Sequence, residues 1–254
     1  MPSGLTRGIH TRWYRRDTMA SRWDTVMVDG SAMRCYVALP EGGGRRPGVV
    51  VCQHAGGVDD FIRSMTDRLA EAGFAAIAPD LYHREDPNSS DDAMTRLRRL
   101  RDVQIVQDVT AAITHFKTLP EVDPERLGIT GFCMGGRVVY LMAGSTPETW
   151  KAGVIFYGGN IFVPWGEGPA PFDLTPRIQC PLLGLFGEED PNPSPADVAK
   201  LDAELTRLGK PHEFHSYPNA GHAFMTEGRP SYREHAAKDA WPKCIAWFQK
   251  YLGA

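Results

Sequence analysis

The chain has 254 residues, of which 42% are hydrophobic and 23% charged, with a formal net charge of -3. That length fits one large α/β domain better than two small ones, and the nearly balanced charge offers no basic field for nucleic acid. No apolar run approaches the roughly 18 residues of a membrane-spanning helix. A soluble globular protein with no nucleic-acid or membrane partner is therefore expected.

The first 23 residues carry five arginines and one acid but lack the apolar segment of a secretion signal. They read as a disordered N-terminal arm, or as an upstream extension with Met19 as the natural start. Residues 24–254 read as a single domain. Two short alternating segments, 24–28 and 33–39, are joined by Asp29-Gly30-Ser31 and predict an antiparallel hairpin at a sheet edge. The β-branched run at 48–53 predicts a buried parallel strand. Asp59 or Asp60 can cap the next helix, whose apolar positions Phe61, Ile62, Met65, Leu69 and Ala70 follow helical spacing. Gly73 ends it, and 74–78 is the following strand.

Residues 90–119 read as mostly helical, with a charged first part (Arg96, Arg98, Arg99, Arg101) that suits a solvated face. Further strands are expected at 127–130, 152–157, 182–186 and 213–217, with helices starting near Arg137 and spanning 195–208 and about 232–251. Residues 164–176 read as an irregular loop. No internal repeat is visible. Strands alternating with helices imply an α/β fold, a mostly parallel sheet of about eight strands with helices on both faces.

Five cysteines, at positions 35, 52, 133, 180 and 244, are scattered without a C-x-x-C pair. Odd number and long spacing point to reduced thiols and a cytoplasmic location. Cys35, Cys52, Cys180 and Cys244 suit core packing, since free cysteine behaves as a small hydrophobe. Cys133 differs: "GFCMGG" follows the apolar run 127–130 and precedes an apolar helix. That is the setting of a nucleophile elbow, a sharp strand-to-helix turn of the form G-x-S-x-G, with Cys in place of Ser.

In such sheets, the loops after the carboxyl ends of the strands converge on one edge. Asp190 follows "LLGLFGEED", His222 lies in "SYPNAGHAF", and both come after predicted strands. Cys133, Asp190 and His222 are in the nucleophile, acid, histidine order of α/β-hydrolases. A thiol of ordinary pKa about 8.5 needs a base or a positive neighbour. His222 is the candidate base and Asp190 the group that would orient it; Glu188 and Glu189 are adjacent alternatives to Asp190. The oxyanion would be held by the N–H of Met134 and one from "QHAGG", at Ala55. The eight histidines form no H-x-x-x-H or H-E-x-x-H pattern, so no metal is expected; His212 and His215 read as flanking a strand.

The motifs "GFCMGG", "LAEAGFAAIAPDLYHRE", "LFGEED" and "AGHAF", in this order, resemble the dienelactone hydrolase family (carboxymethylenebutenolidases) from about Val26 to the C-terminal helix. The resemblance implies the α/β-hydrolase fold, no cofactor, and cleavage of a small ester or enol-lactone substrate by Cys133, Asp190 and His222. Two departures stand out. The family glutamate that helps poise the thiol is His54 here, and an arginine that binds the substrate carboxylate is Thr226. Arg84 matches another arginine of that pocket, open between substrate binding and a structural ion pair. His54 would help activate Cys133 or line the mouth, and Tyr82 and Tyr157 would lend hydroxyls to the pocket or pack. Loss of the glutamate and arginine together favours neutral esters or lactones. A general carboxylesterase or thioesterase, and a non-catalytic ligand-binding protein, are the alternatives. A monomer or small homo-oligomer is expected.

Overall fold

The computed structural model describes residues 19–86 and 88–253. In chain order the strands are β1 Met19–Val28, β2 Ser31–Pro40, β3 Arg46–Cys52, β4 Ala75–Pro79, β5 Val122–Phe132, β6 Ala152–Phe156, β7 Leu182–Gly187 and β8 His212–Tyr217. The helices are α1 Asp60–Glu71, α2 Ala93–Arg99, α3 Asp102–Phe116, α4 Met134–Ser145, α5 Pro195–Arg207 and α6 Glu234–Leu252. All eight strands join one sheet in the order β1-β2-β4-β3-β5-β6-β7-β8. β1 pairs antiparallel with β2, and β2 with β4; every other pairing is parallel.

The expected edge hairpin is present but longer than the sequence suggested. Asp29 (φ 50°) and Gly30 (φ 77°) form its two-residue turn, the left-handed pair that matches strand twist. The arm expected over residues 1–23 is corrected at its end: residues 19–23 are strand, and the preceding eighteen lie outside the described residues. A cross-strand contact explains the extension. Trp23 is opposite Tyr36, their ring centroids 5.3 Å apart, with Arg34 4.1 Å over the indole. Such pairs stabilise a ladder whose own pattern is weakly apolar.

β3 is buried on both faces, as its unbroken run of Val49, Val50, Val51 and Cys52 requires. α1 and α6 pack on one side of the sheet, while α3, α4 and α5 pack on the other. Asp59 caps α1 by accepting from the Ile62 N–H at 3.2 Å. The long helical segment expected at 90–119 splits: Leu100 and Arg101 are extended between α2 and α3. The loop expected at 164–176 holds a short 3-10 helix, Pro171–Arg177. Cys35, Cys52, Cys180 and Cys244 are buried free thiols. Burial pushes Cys35 and Cys180 up to about 12 and raises Cys52 and Cys244 as well, so these thiols are inert packing groups.

From β3 the chain moves outward to β4, then crosses through α2 and α3 to β5 on the other side of β3. The loops after β3 and β5 therefore separate at the sheet's topological switch point, where a crevice opens.

Candidate active site

Cys133 occupies the turn between β5 and α4 with φ 58° and ψ -120°. For a residue other than glycine this conformation costs about 1–3 kcal/mol and persists only where its surroundings enforce it. The surroundings are unusually close. A Cβ on Gly131 would lie 2.2 Å from the Gly135 carbonyl oxygen, and one on Gly135 would lie 2.1 Å from that of Cys52. A Cβ on Gly136 would meet the Phe156 oxygen at 2.8 Å. The glycines thus let β5, α4 and the end of β3 close on each other, and the Cys133 N–H donates to the Phe156 oxygen at 3.1 Å. Cys133 is the one cysteine among the five that is not fully buried.

The loops after β7 and β8 bring Asp190 and His222 to the same place. His222 Nδ1 lies 2.8 Å from Asp190 Oδ2, and Cys133 is the other titratable group that bears on the imidazole. With Nδ1 taken by the carboxylate, Nε2 is the nitrogen left for sulfur. Asp190 is buried, whereas Glu188 and Glu189 are exposed. Burial alone would lower the His222 pKa, but its neighbours Asp190 and Cys133 outweigh it. The result is about 10. Tyr157, itself at φ 40°, packs edge-on against the imidazole with centroids 5.2 Å apart.

Met134 is the first residue of α4, and the first N–H groups of a helix have no intrahelical acceptor. The 54–57 loop is closed by the Gly57 N–H donating to the His54 oxygen at 3.0 Å. Tyr82 ties these two places together. Its hydroxyl donates to the Ala55 oxygen at 3.0 Å and lies 3.7 Å from Met134 Sδ, while Arg96 covers its ring at 4.0 Å. The Tyr82 hydroxyl, raised in pKa by burial, stays protonated as a donor.

The remaining expected pocket residues divide. His54 lines an open cleft of about 1460 Å³, which runs from Ala55 and Ala223 between α1 and α6, with Phe61, Thr226 and Trp241 also on its walls. Neither Cys133 nor His222 is among its lining residues, though Ala223, the residue after His222, is. His54 Nε2 sits 2.8 Å from Asp59 Oδ2, a close contact without hydrogen-bond alignment. The buried Tyr157 hydroxyl has no well-aligned partner but lies near Thr226 and the Met225 backbone. Arg84 is spent elsewhere: both of its terminal nitrogens bond the buried carboxylate of Asp108, at 2.6 and 2.7 Å, and Asp29 lies 3.4 Å away. The ion pair of its structural alternative is therefore present.

Sequence reading missed a buried ion pair beneath the site. Arg137 of α4 is fully buried and binds both oxygens of Asp102, at 2.5 and 2.9 Å, with the Trp165 ring 3.9 Å away. A lone arginine in the otherwise apolar "MGGRVVYLMAG" was the available signal. Among the described residues no three His, Cys, Asp or Glu side chains converge as a metal site would require, and no helix is long and apolar enough to cross a membrane.

A mostly parallel sheet, a strained residue between central strand and helix, and an acid and histidine on later loops define an α/β-hydrolase. The chain belongs to the dienelactone hydrolase family, whose profile matches residues 33–252. It is 38% identical over 227 residues to a Synechocystis sp. protein named "Putative carboxymethylenebutenolidase", covering 85% of this chain and 91% of that one. It is 30% identical to a Bradyrhizobium sp. "Probable 2-oxo-3-(5-oxofuran-2-ylidene)propanoate lactonase", with 93% and 96% covered. A Klebsiella pneumoniae crystal structure titled "Putative Dienelactone Hydrolase" superposes with a TM-score of 0.85 at 34% identity, covering 92% of this chain and all of that one. The chain is accordingly a dienelactone hydrolase-like hydrolase.

Proposed function

We propose that Cys133, His222 and Asp190 act as a catalytic triad that hydrolyses an ester or enol-lactone bond through an acyl-enzyme. The observation that carries the reading is the imidazole of His222, bonded through Nδ1 to buried Asp190 and with Cys133 as the other group acting on it. With the proton held by His222, whose pKa is raised to about 10, the Cys133 sulfur attacks the carbonyl carbon. In this reading the N–H groups of Met134 and Ala55 receive the resulting oxyanion. Collapse breaks the carbonyl–oxygen bond, and His222 delivers its proton to the departing alkoxide or enolate. In the second half His222 deprotonates a water, hydroxide attacks the thioester, and the thiolate leaves while the proton stays on His222.

Substrates neutral near the scissile bond fit the residues best. Arg84 is held by Asp108, and Thr226 stands where the family pattern has a carboxylate-binding arginine. The names of the carboxymethylenebutenolidase and lactonase relatives support an ester or lactone bond as the target. The free thiols suit the reducing cytoplasm. Hydrolysis of neutral aryl esters, enol lactones and carboxylate-bearing dienelactones by wild type and Cys133→Ala tests the proposal. Expected are activity on the neutral members, its loss in the variant, and an acyl-enzyme mass adduct on Cys133 under rapid quench. Full hydrolysis by Cys133→Ala would overturn it.

A further inference from the structure

We infer that Asn192 is a positioning residue that fixes the carboxylate of Asp190 by tying it, through Asn160, to the helix that carries the nucleophile. The inference rests on the triad proposed above and names a residue that acts on it from outside.

The connection is continuous. Asp190 uses its two oxygens for two partners: Oδ2 faces His222 at 2.8 Å, and Oδ1 accepts the backbone N–H of Asn192 at 2.9 Å. The Asn192 side chain in turn accepts, at Oδ1, the backbone N–H of Asn160 at 3.0 Å. The carbonyl oxygen of Asn160 accepts from Arg137 Nε at 3.0 Å. Arg137 lies three residues beyond Met134 in α4 and is itself held by Asp102 and by the Val163 oxygen at 2.6 Å. The loops after β6 and β7 are thereby bound to each other and to the elbow helix.

Two backbone features show that the junction is tightly fitted. Asn160 has φ 55°, a left-handed conformation that asparagine tolerates better than most residues. A Cβ on Gly159 would lie 2.6 Å from Asn192 Oδ1, so the side-chain amide is seated directly on the 158–160 backbone. Removing the Oδ1 acceptor frees the 191–193 segment, and the N–H that holds Asp190 Oδ1 moves with it. The carboxylate is then free to turn away from Nδ1. The groups facing His222 are Asp190, Cys133 and the Tyr157 ring, so misplacing Asp190 removes the carboxylate that favours the charged imidazole and weakens proton binding.

The test compares Asn192→Ala, which removes the acceptor, with Asn192→Asp, which keeps an acceptor oxygen, and Asn192→Leu, which keeps the volume. NMR titration of the His222 imidazole, kcat and KM on an aryl ester, and thermal melting are measured for each. Expected in the Ala and Leu variants is a His222 midpoint lowered by about one pH unit. Their kcat should fall roughly 10- to 100-fold with KM nearly unchanged, and the alkaline limb of the rate profile should move down with the midpoint. Asn192→Asp should titrate no lower than wild type and keep most of kcat. Folded Ala and Leu variants with an unshifted His222 midpoint would overturn the inference, as would an Asp variant that falls as far as Ala. Retained hydrolysis by Cys133→Ala would instead remove the proposed nucleophile, while the His222 midpoints would still decide the role of Asn192.

Discussion

His222 Nδ1 and Asp190 Oδ2 are 2.8 Å apart although 32 residues separate them in the chain, and the carboxylate is fully buried while the imidazole keeps a third of its surface. A buried acid facing one nitrogen fixes the imidazole tautomer and leaves the other nitrogen for the thiol. Replacing the acid with a neutral amide keeps the shape but removes the charge and can present a donor to Nδ1. Asp190→Asn should lower kcat by roughly 10³–10⁴-fold. A steady-state assay with burst titration of Cys133 would check it, and a loss under tenfold would contradict the role given to Asp190.

The same pair makes stability depend on pH. His222 titrates at about 10 in the folded chain against an ordinary 6.5, so the folded state holds the proton more tightly than the unfolded one. That contribution is complete below about pH 6.5 and is lost as pH rises through about 10. The stability advantage of wild type over His222→Gln, measured by urea unfolding from pH 6 to pH 10, should therefore shrink as pH rises. In Cys133→Ala, which removes the sulfur beside the imidazole, the His222 midpoint should fall below that of wild type.

Tyr82 joins the two loops expected to receive the oxyanion, through its bond to the Ala55 oxygen and its contact with Met134 Sδ. Tyr82→Phe removes one hydrogen bond, worth about 0.5–1.5 kcal/mol. If Tyr82 orients the oxyanion loop, that loss should appear mainly in kcat. If the hydroxyl instead bound substrate, KM would rise and kcat would hold.

Asp102 neutralises a guanidinium with no exposed surface. Asp102→Ala leaves that charge buried and unpaired, at a cost of about 3–5 kcal/mol. Thermal melting should fall on the order of 10 °C for a chain of this size. A melting temperature within 2 °C of wild type would mean that Arg137 finds water or another acceptor (roughly 2–4 °C corresponds to 1 kcal/mol here).

Arg84 separates a structural role from a substrate-binding one. Arg84→Met should lower stability by about 1–3 kcal/mol, with His83 Nε2 remaining 3.2 Å from the Asp108 carboxylate. The ratio of kcat/KM for carboxylate-bearing and neutral esters should stay unchanged. A selective loss on the carboxylate-bearing substrate would return Arg84 to the pocket.

The sequence by itself determined what local chemistry controls. The valine run of β3, the Asp29-Gly30 turn and the Asp59 cap each form for reasons contained within a few residues. The elbow was legible because a strained turn between close-packed backbones admits only glycine at positions 131, 135 and 136. Asp190 and His222 were legible because loops at the carboxyl ends of parallel strands must meet on one edge. The extra five residues of β1 were not, since Trp23 is held by Tyr36 across the strands and by Arg34 above the ring.

Tertiary structure alone decided which partners the charged and polar groups took. Arg84 met Asp108, 24 positions away, Arg137 met Asp102, 35 away, and Asn160 met Asn192, 32 away. His54 found Asp59 only five residues on, but the loop bringing them together is shaped by packing. A charged side chain has several candidate partners in the sequence, and burial and distance select one of them. That selection depends on how helices and loops pack across the sheet, which no local pattern contains.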